Sequence, residues 1–179
     1  MYIYVKKLNQ KGRSMIEMLG VLAIVGILSA GGIAGYSKAM QSYKTNALIE
    51  KIQLIAQAAR TVYKGNYKEI NGQDLIDSGK ISDVNNPFGG QGLFIYSSLQ
   101  GNEYFSIRIP FRFLPAETCV DLITTDWGHN GVFWGIRMSG NGNNATFFKW
   151  NDDTYPVETA DAITECKEGD YSSITLDFK

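Results

Sequence analysis

The chain has 179 residues, one histidine and a formal net charge of −1, with 17 Lys and Arg against 18 Asp and Glu. That length accommodates one domain with its own core plus a helical extension, and falls short of two full-sized domains. The balanced charge excludes a surface that holds nucleic acid by counterion release, so no nucleic-acid partner is expected.

From Met18 to Ser37 no residue is charged. A run of about twenty apolar and small residues is what a helix needs to cross a bilayer core. Lys6, Lys7, Lys11 and Arg13 precede it, while Lys38 and Lys44 follow it. Positive charge is denser at the front, which puts the N-terminus on the cytoplasmic side. Glu17 is the anomaly. A charged group costs about 2.5 to 3.5 kcal/mol at the centre of a membrane helix and less near an interface, so such a carboxylate needs a partner. Its own helix offers Lys11 and Arg13 just upstream and the free N–H groups of the first turn.

The apolar run continues without proline into SKAMQSYKTNALIEKIQLIAQAARTVYKG, where Leu48, Ile52, Ile55, Ala59 and Val62 recur at intervals of three or four and line one face. This spacing predicts one helix from Ser14 to Lys64. About fifty residues give a rod of roughly 75 Å, more than twice the hydrocarbon thickness, so half of it must pack on something other than lipid. Gly65 is the expected stop.

A mostly polar connector follows, with a short helix expected near Gln73 to Ser78. After it GLFIYSS, EYFSIRI, VFWGIRM, TFFKW and SSITLDF are short aromatic and β-branched segments separated by Gly, Asn and Asp, and they read as antiparallel strands. PAETCVDLITTDW, opened by Pro115, and VETADAITEC read as helices, each carrying a cysteine. Cys119 and Cys166 are too few and too far apart for a zinc site of paired spacing. They are either two buried thiols or one disulfide. An export segment favours the disulfide, worth about 4 kcal/mol for a loop of about 47 residues.

Nothing here suggests an enzyme, a cofactor or a metal. His129 in DWGHNG has no Ser or Cys motif beside it and reads as a turn residue. Asp152 and Asp153 fit no calcium loop and read as solvated. PFGGQG neither follows a strand nor opens a helix, so it is no phosphate cradle, and Asn144-Ala145-Thr146 merely matches a glycosylation triplet.

KGRSMIEMLGVLAIVGIL, from Lys11 to Leu28, resembles the N-terminal signature of type IV pilins. That signature is a short basic leader ending in glycine, then a mature chain with glutamate at its fifth position inside an apolar helix. The resemblance implies a leader over residues 1–12, a long helix over 13–64 whose 13–37 part lies in the membrane or filament core, and a globular head over 65–179. The implied fold class is α+β: a long N-terminal α-helix, half of it transmembrane, packed on a C-terminal antiparallel β-sheet. The family carries a disulfide around a variable C-terminal region, and Cys119 and Cys166 stand where such a pair would be. NNPFGG before the first strand, PAETCVDLI at the first cysteine and the large closed loop look more like the type IVb branch.

The resemblance also implies a mechanism. Prepilin peptidase would cut after Gly12 on the cytoplasmic face and methylate the new amine of Arg13. Glu17 would then neutralise the terminal amine of a neighbouring subunit as copies of the chain polymerise. The precursor would sit in the bacterial inner membrane, engage an assembly platform there, and end in an extracellular pilus filament. Gly20, Gly26, Gly31, Gly32 and Gly35 would let helices approach closely. Each also weakens an exposed helix by about 1 kcal/mol, so local unwinding is expected at Gly31-Gly32 in the filament. The family usually begins its mature chain with Phe or another apolar residue, whereas Arg13 is charged, which gives Glu17 a competing partner within its own subunit. Two other readings use the same residues. One is a pseudopilin of a type II secretion system. The other is an exported binding domain whose Sec signal ends near Ala30 in ILSAGG.

Overall fold

The computed structural model describes residues 15–110, 114–128, 131–140, 145–149, 155–167 and 171–179. The chain divides into two compact units, residues 1–40 and residues 41–179. Helix α1, Met15–Tyr63, contributes to both.

In the first unit every described residue from Met15 to Ala39 is exposed on the isolated chain. Ser37 Oγ donates to the carbonyl of Ile33 at 2.9 Å, so its hydroxyl is satisfied within the helix.

In the second unit α1 buries Thr45, Leu48, Ile52, Ile55, Ala56, Ala58 and Ala59. Leu48, Ile52, Ile55 and Ala59 are the expected stripe, and Val62 packs against the core while half-buried. The helix ends at Tyr63, one residue short of the expected Lys64 and two before the expected glycine. Lys64 already takes a left-handed φ of 52° and Gly65 follows with 91°, while the Lys64 N–H closes on the Arg60 carbonyl at 3.1 Å. Arg60 lies in the last turn, where a cation suits the partial negative charge of the helix end.

The connector carries α2, Gly72–Asp77, capped by the Asn71 side chain accepting from the Asp74 N–H at 2.9 Å. Lys51 Nζ meets Asp83 Oδ1 at 2.6 Å and ties the connector to α1. Leu93 N–H donates to Val84 O at 2.7 Å. A Cβ at Gly92 would lie 2.8 Å from that same carbonyl, so only glycine fits beside it.

Strands β1, Phe94–Ser97, and β2, Phe105–Pro110, are followed by helix α3, Ala116–Thr124. Strands β3, Phe133–Gly140, and β4, Ala145–Lys149, then precede helix α4, Thr159–Lys167, and strand β5, Tyr171–Phe178. The sheet order is β1-β2-β5-β3-β4, with antiparallel neighbours throughout. The last strand of the chain is therefore the central one.

The register makes buried rows across the sheet. Ile95, Ile107, Leu176, Ile136 and Phe148 stand opposite one another in successive strands, and all five are buried. Phe178 is flanked by Phe105 and Phe133 at ring distances of 5.5 and 5.3 Å, and Tyr67 of the connector covers Phe105 at 4.7 Å. The pairing of β3 shifts between Phe133 and Gly135. That irregularity lets Phe133 and Ile136, three apart, both reach the buried face, which an unbroken period of two would forbid.

Candidate functional site

Two features carry functional weight: the apolar front of α1 and the closed head. Residues of the first unit form part of a helix long and apolar enough to cross a bilayer, and none of the apolar window is buried. Met15, Ile16, Ile27, Leu28 and Ile33 are each more than two-thirds exposed. An apolar surface of this extent does not stay in water, so its function requires lipid or protein over it. Glu17 lies in the first turn of α1, exposed, where the partial positive charge of the helix start favours a carboxylate. Gly12 and Arg13, the expected cleavage and methylation positions, lie outside the described residues. The helix runs through Gly31 and Gly32, and a Cβ built on either would meet nothing within 4 Å. Both remain free to be approached by another helix.

In the second unit Cys119 of α3 and Cys166 of α4 are joined in a disulfide with Cα atoms 5.9 Å apart, and no described cysteine is free. The bridge closes a loop of sequence separation 47 around β3 and β4. Helix α3 is held against α1 by Thr45 Oγ1 and Thr118 Oγ1 at 2.8 Å and by Gln41 Nε2 donating to Glu117 Oε2 at 3.1 Å. Trp127 seals the end of α3, its Nε1 donating to Leu122 O at 2.9 Å.

One polar cluster was not anticipated. Asp177 of β5 is fully buried on the face of the sheet opposite Leu176 and Phe178. It accepts from Ser106 Oγ, from Ser98 Oγ at 3.1 Å, and from Arg137 Nη2 at 3.2 and 3.3 Å to its two oxygens. Burial raises its pKa above the ordinary carboxylate range, and the bonds from Ser106, Arg137 and Ser98 only partly offset that cost. The signal in the sequence was the alternation in SITLDF, which puts Asp177 on the face opposite the apolar residues. Its partners come from three other segments and had no local signature. Arg60 is a second surprise: its guanidinium donates to Lys179 O at 2.7 Å and Val132 O at 2.8 Å, locking the helix end to the ends of the inner strands β5 and β3.

Among the described residues no cluster of His, Cys, Asp and Glu could hold a metal ion. His129, Asn144, Asp152 and Asp153 lie outside the described residues.

No protein-family model matches the chain, and no solved structure matches it. Among proteins of known role, it is 27% identical over 178 residues to the major structural subunit of bundle-forming pilus from Escherichia coli, covering 92% of this chain and 91% of the relative. The counterpart from a second Escherichia coli strain is 26% identical over the same shares. Toxin coregulated pilin from Vibrio cholerae is 30% identical over 137 residues, 67% of this chain and 59% of the relative. The apolar front of α1, the helix-on-sheet head and the two relatives that match nearly end to end agree on one likeness: the chain is similar to the structural subunits of type IV pili.

Proposed function

We propose that the chain is the repeating structural subunit of a type IV pilus, of the type IVb branch to which both sets of relatives belong. The observation that carries this is the wholly exposed apolar stretch of α1 ahead of a closed, disulfide-bridged head. Lipid covers that stretch in the precursor and neighbouring helices cover it in the filament, so the same surface serves both states. Its role is structural rather than catalytic, as in the pilins it matches.

In this reading prepilin peptidase removes residues 1–12 at the inner membrane and methylates the amine of Arg13. The assembly platform then passes the subunit into the growing filament, which ends outside the cell. Glu17 gives an incoming subunit its axial position. In a low-dielectric bundle of helices a carboxylate and a terminal amine on neighbouring subunits attract strongly, and a misaligned pair leaves two buried charges without partners. The glycines at 20, 26, 31, 32 and 35 let the helices approach closely enough for this selection to act.

The test is the intact mass of the protein from cells. Loss of residues 1–12 with one added methyl group is expected; loss of about thirty residues would instead indicate a cleaved Sec signal. Glu17→Ala is expected to leave leader removal largely intact and to abolish filaments in sheared fractions, and normal filaments from that variant would refute the pairing role. Recovery of the wild-type protein only in the cell-bound fraction would favour a pseudopilin.

A further inference from the structure

Leu99 is 81% exposed, more than any other large apolar side chain described in residues 41–179. It stands at the tip of the β1–β2 hairpin, and that tip is stiff. Ser98 N–H donates to Tyr104 O at 3.0 Å, Tyr104 N–H to Gly101 O at 3.1 Å, and Tyr67 N–H to Asn102 O at 2.7 Å. Ser98 Oγ is anchored on Asp177 at 3.1 Å. A leucine on backbone already held in place loses little further freedom when it docks. The same tip carries one charged residue, Glu103, whose side chain is 71% exposed and lies 3.4 Å from Lys179 Nζ.

Elsewhere on the head, Leu54, Gln57, Ala58 and Thr61 of α1 and Lys80 of the connector line a groove of about 200 Å3. Leu54 is 50% exposed there. A cavity of about 150 Å3 accommodates a benzene ring, so this groove has room for a branched four-carbon side chain. Lys80 supplies its positive charge, and no acid among the described residues lies within salt-bridge distance of it. The hairpin tip and the groove are thus complements in shape and charge: an apolar knob beside an acid, and an apolar hollow beside a base.

We infer that Leu99 of one subunit seats in the Leu54–Lys80 groove of a second copy, with Glu103 facing Lys80. This rests on the filament reading above and names the contact between heads within it. Knob and groove are different patches, so the contact can repeat head to tail from copy to copy, and in a filament, where the rotation does not close, it propagates as an open helical array. It would give the heads their own assembly determinant, separate from Glu17.

The experiment uses full-length chain in cells carrying its assembly apparatus. Leu99→Cys combined with Gln57→Cys, oxidised in sheared filaments, is expected to give a ladder of covalent multimers that neither single variant gives. Leu99→Asp is expected to lower sheared filament by about tenfold or more, the factor that corresponds to losing a buried leucine. Glu103→Lys is expected to lower it as well, and adding Lys80→Glu to restore it; this reciprocal pair stands even if Leu99→Asp misfolds. Filaments without a ladder from the double-cysteine variant, or wild-type yield from Leu99→Asp, would overturn the contact. Absence of filaments from the wild-type chain would instead overturn the pilin-subunit reading itself.

Discussion

Replacing both Cys119 and Cys166 by alanine removes the bridge between α3 and α4 while leaving no new polar group in the core. The loop it closes has a sequence separation of 47. Chain entropy assigns to a loop of that length about 4 kcal/mol of stability at 25 °C, acting through the unfolded state. Domains are stable by about 5–15 kcal/mol, so the loss would take from a quarter to most of the total. With a urea dependence of about 2 kcal/mol per molar, the midpoint should fall by about 2 M. The paired serine variant should fall further, because Cys119 is fully buried and Cys166 is 6% exposed, and a buried hydroxyl without a partner costs about 1–3 kcal/mol. The assay is urea unfolding of the detergent-solubilised full chain followed by tryptophan fluorescence. An alanine pair with the wild-type midpoint would refute the reasoning. It would mean that the β3–β4 segment enclosed by the bridge is already as constrained in the unfolded chain.

Three further outcomes follow from other parts of the molecule. Asp177 has a folded pKa above its unfolded one, so the folded state takes up a proton and the carboxylate's contribution is most favourable in acid and declines as pH rises through the folded value. Wild type should therefore gain stability relative to Asp177→Asn between neutral pH and the ordinary carboxylate range; a relative loss on acidification would show that Arg137 outweighs desolvation. Ile52→Ala, at a fully buried position, should cost about 2–5 kcal/mol in the same unfolding assay, whereas Ile24→Ala, 60% exposed on the isolated chain, should leave head stability unchanged while lowering filament yield. In the assembled filament the helix should lose regular density at Gly31-Gly32, and continuous helical density through both residues would exclude the unwinding.

The sequence by itself determined the elements and the front of the molecule. Uncharged length, basic flanks and the three-to-four spacing of Leu48, Ile52, Ile55 and Ala59 are local periodic signals, and they specified α1 before any contact was known. The five aromatic and β-branched runs marked the five strands for the same reason. Glu17 stood out because one charge inside an apolar run needs no tertiary information to be noticed. Tertiary structure decided what depends on residues distant in sequence. It placed β5 between β2 and β3, inserted the register shift that brings Phe133 and Ile136 to one face, and converted two open readings of Cys119 and Cys166 into a bond. It also gathered Ser98, Ser106 and Arg137 around Asp177. Strand order and buried polar partners are set by which surfaces exclude water together, and that is a property of the packed chain, invisible in any one segment of it.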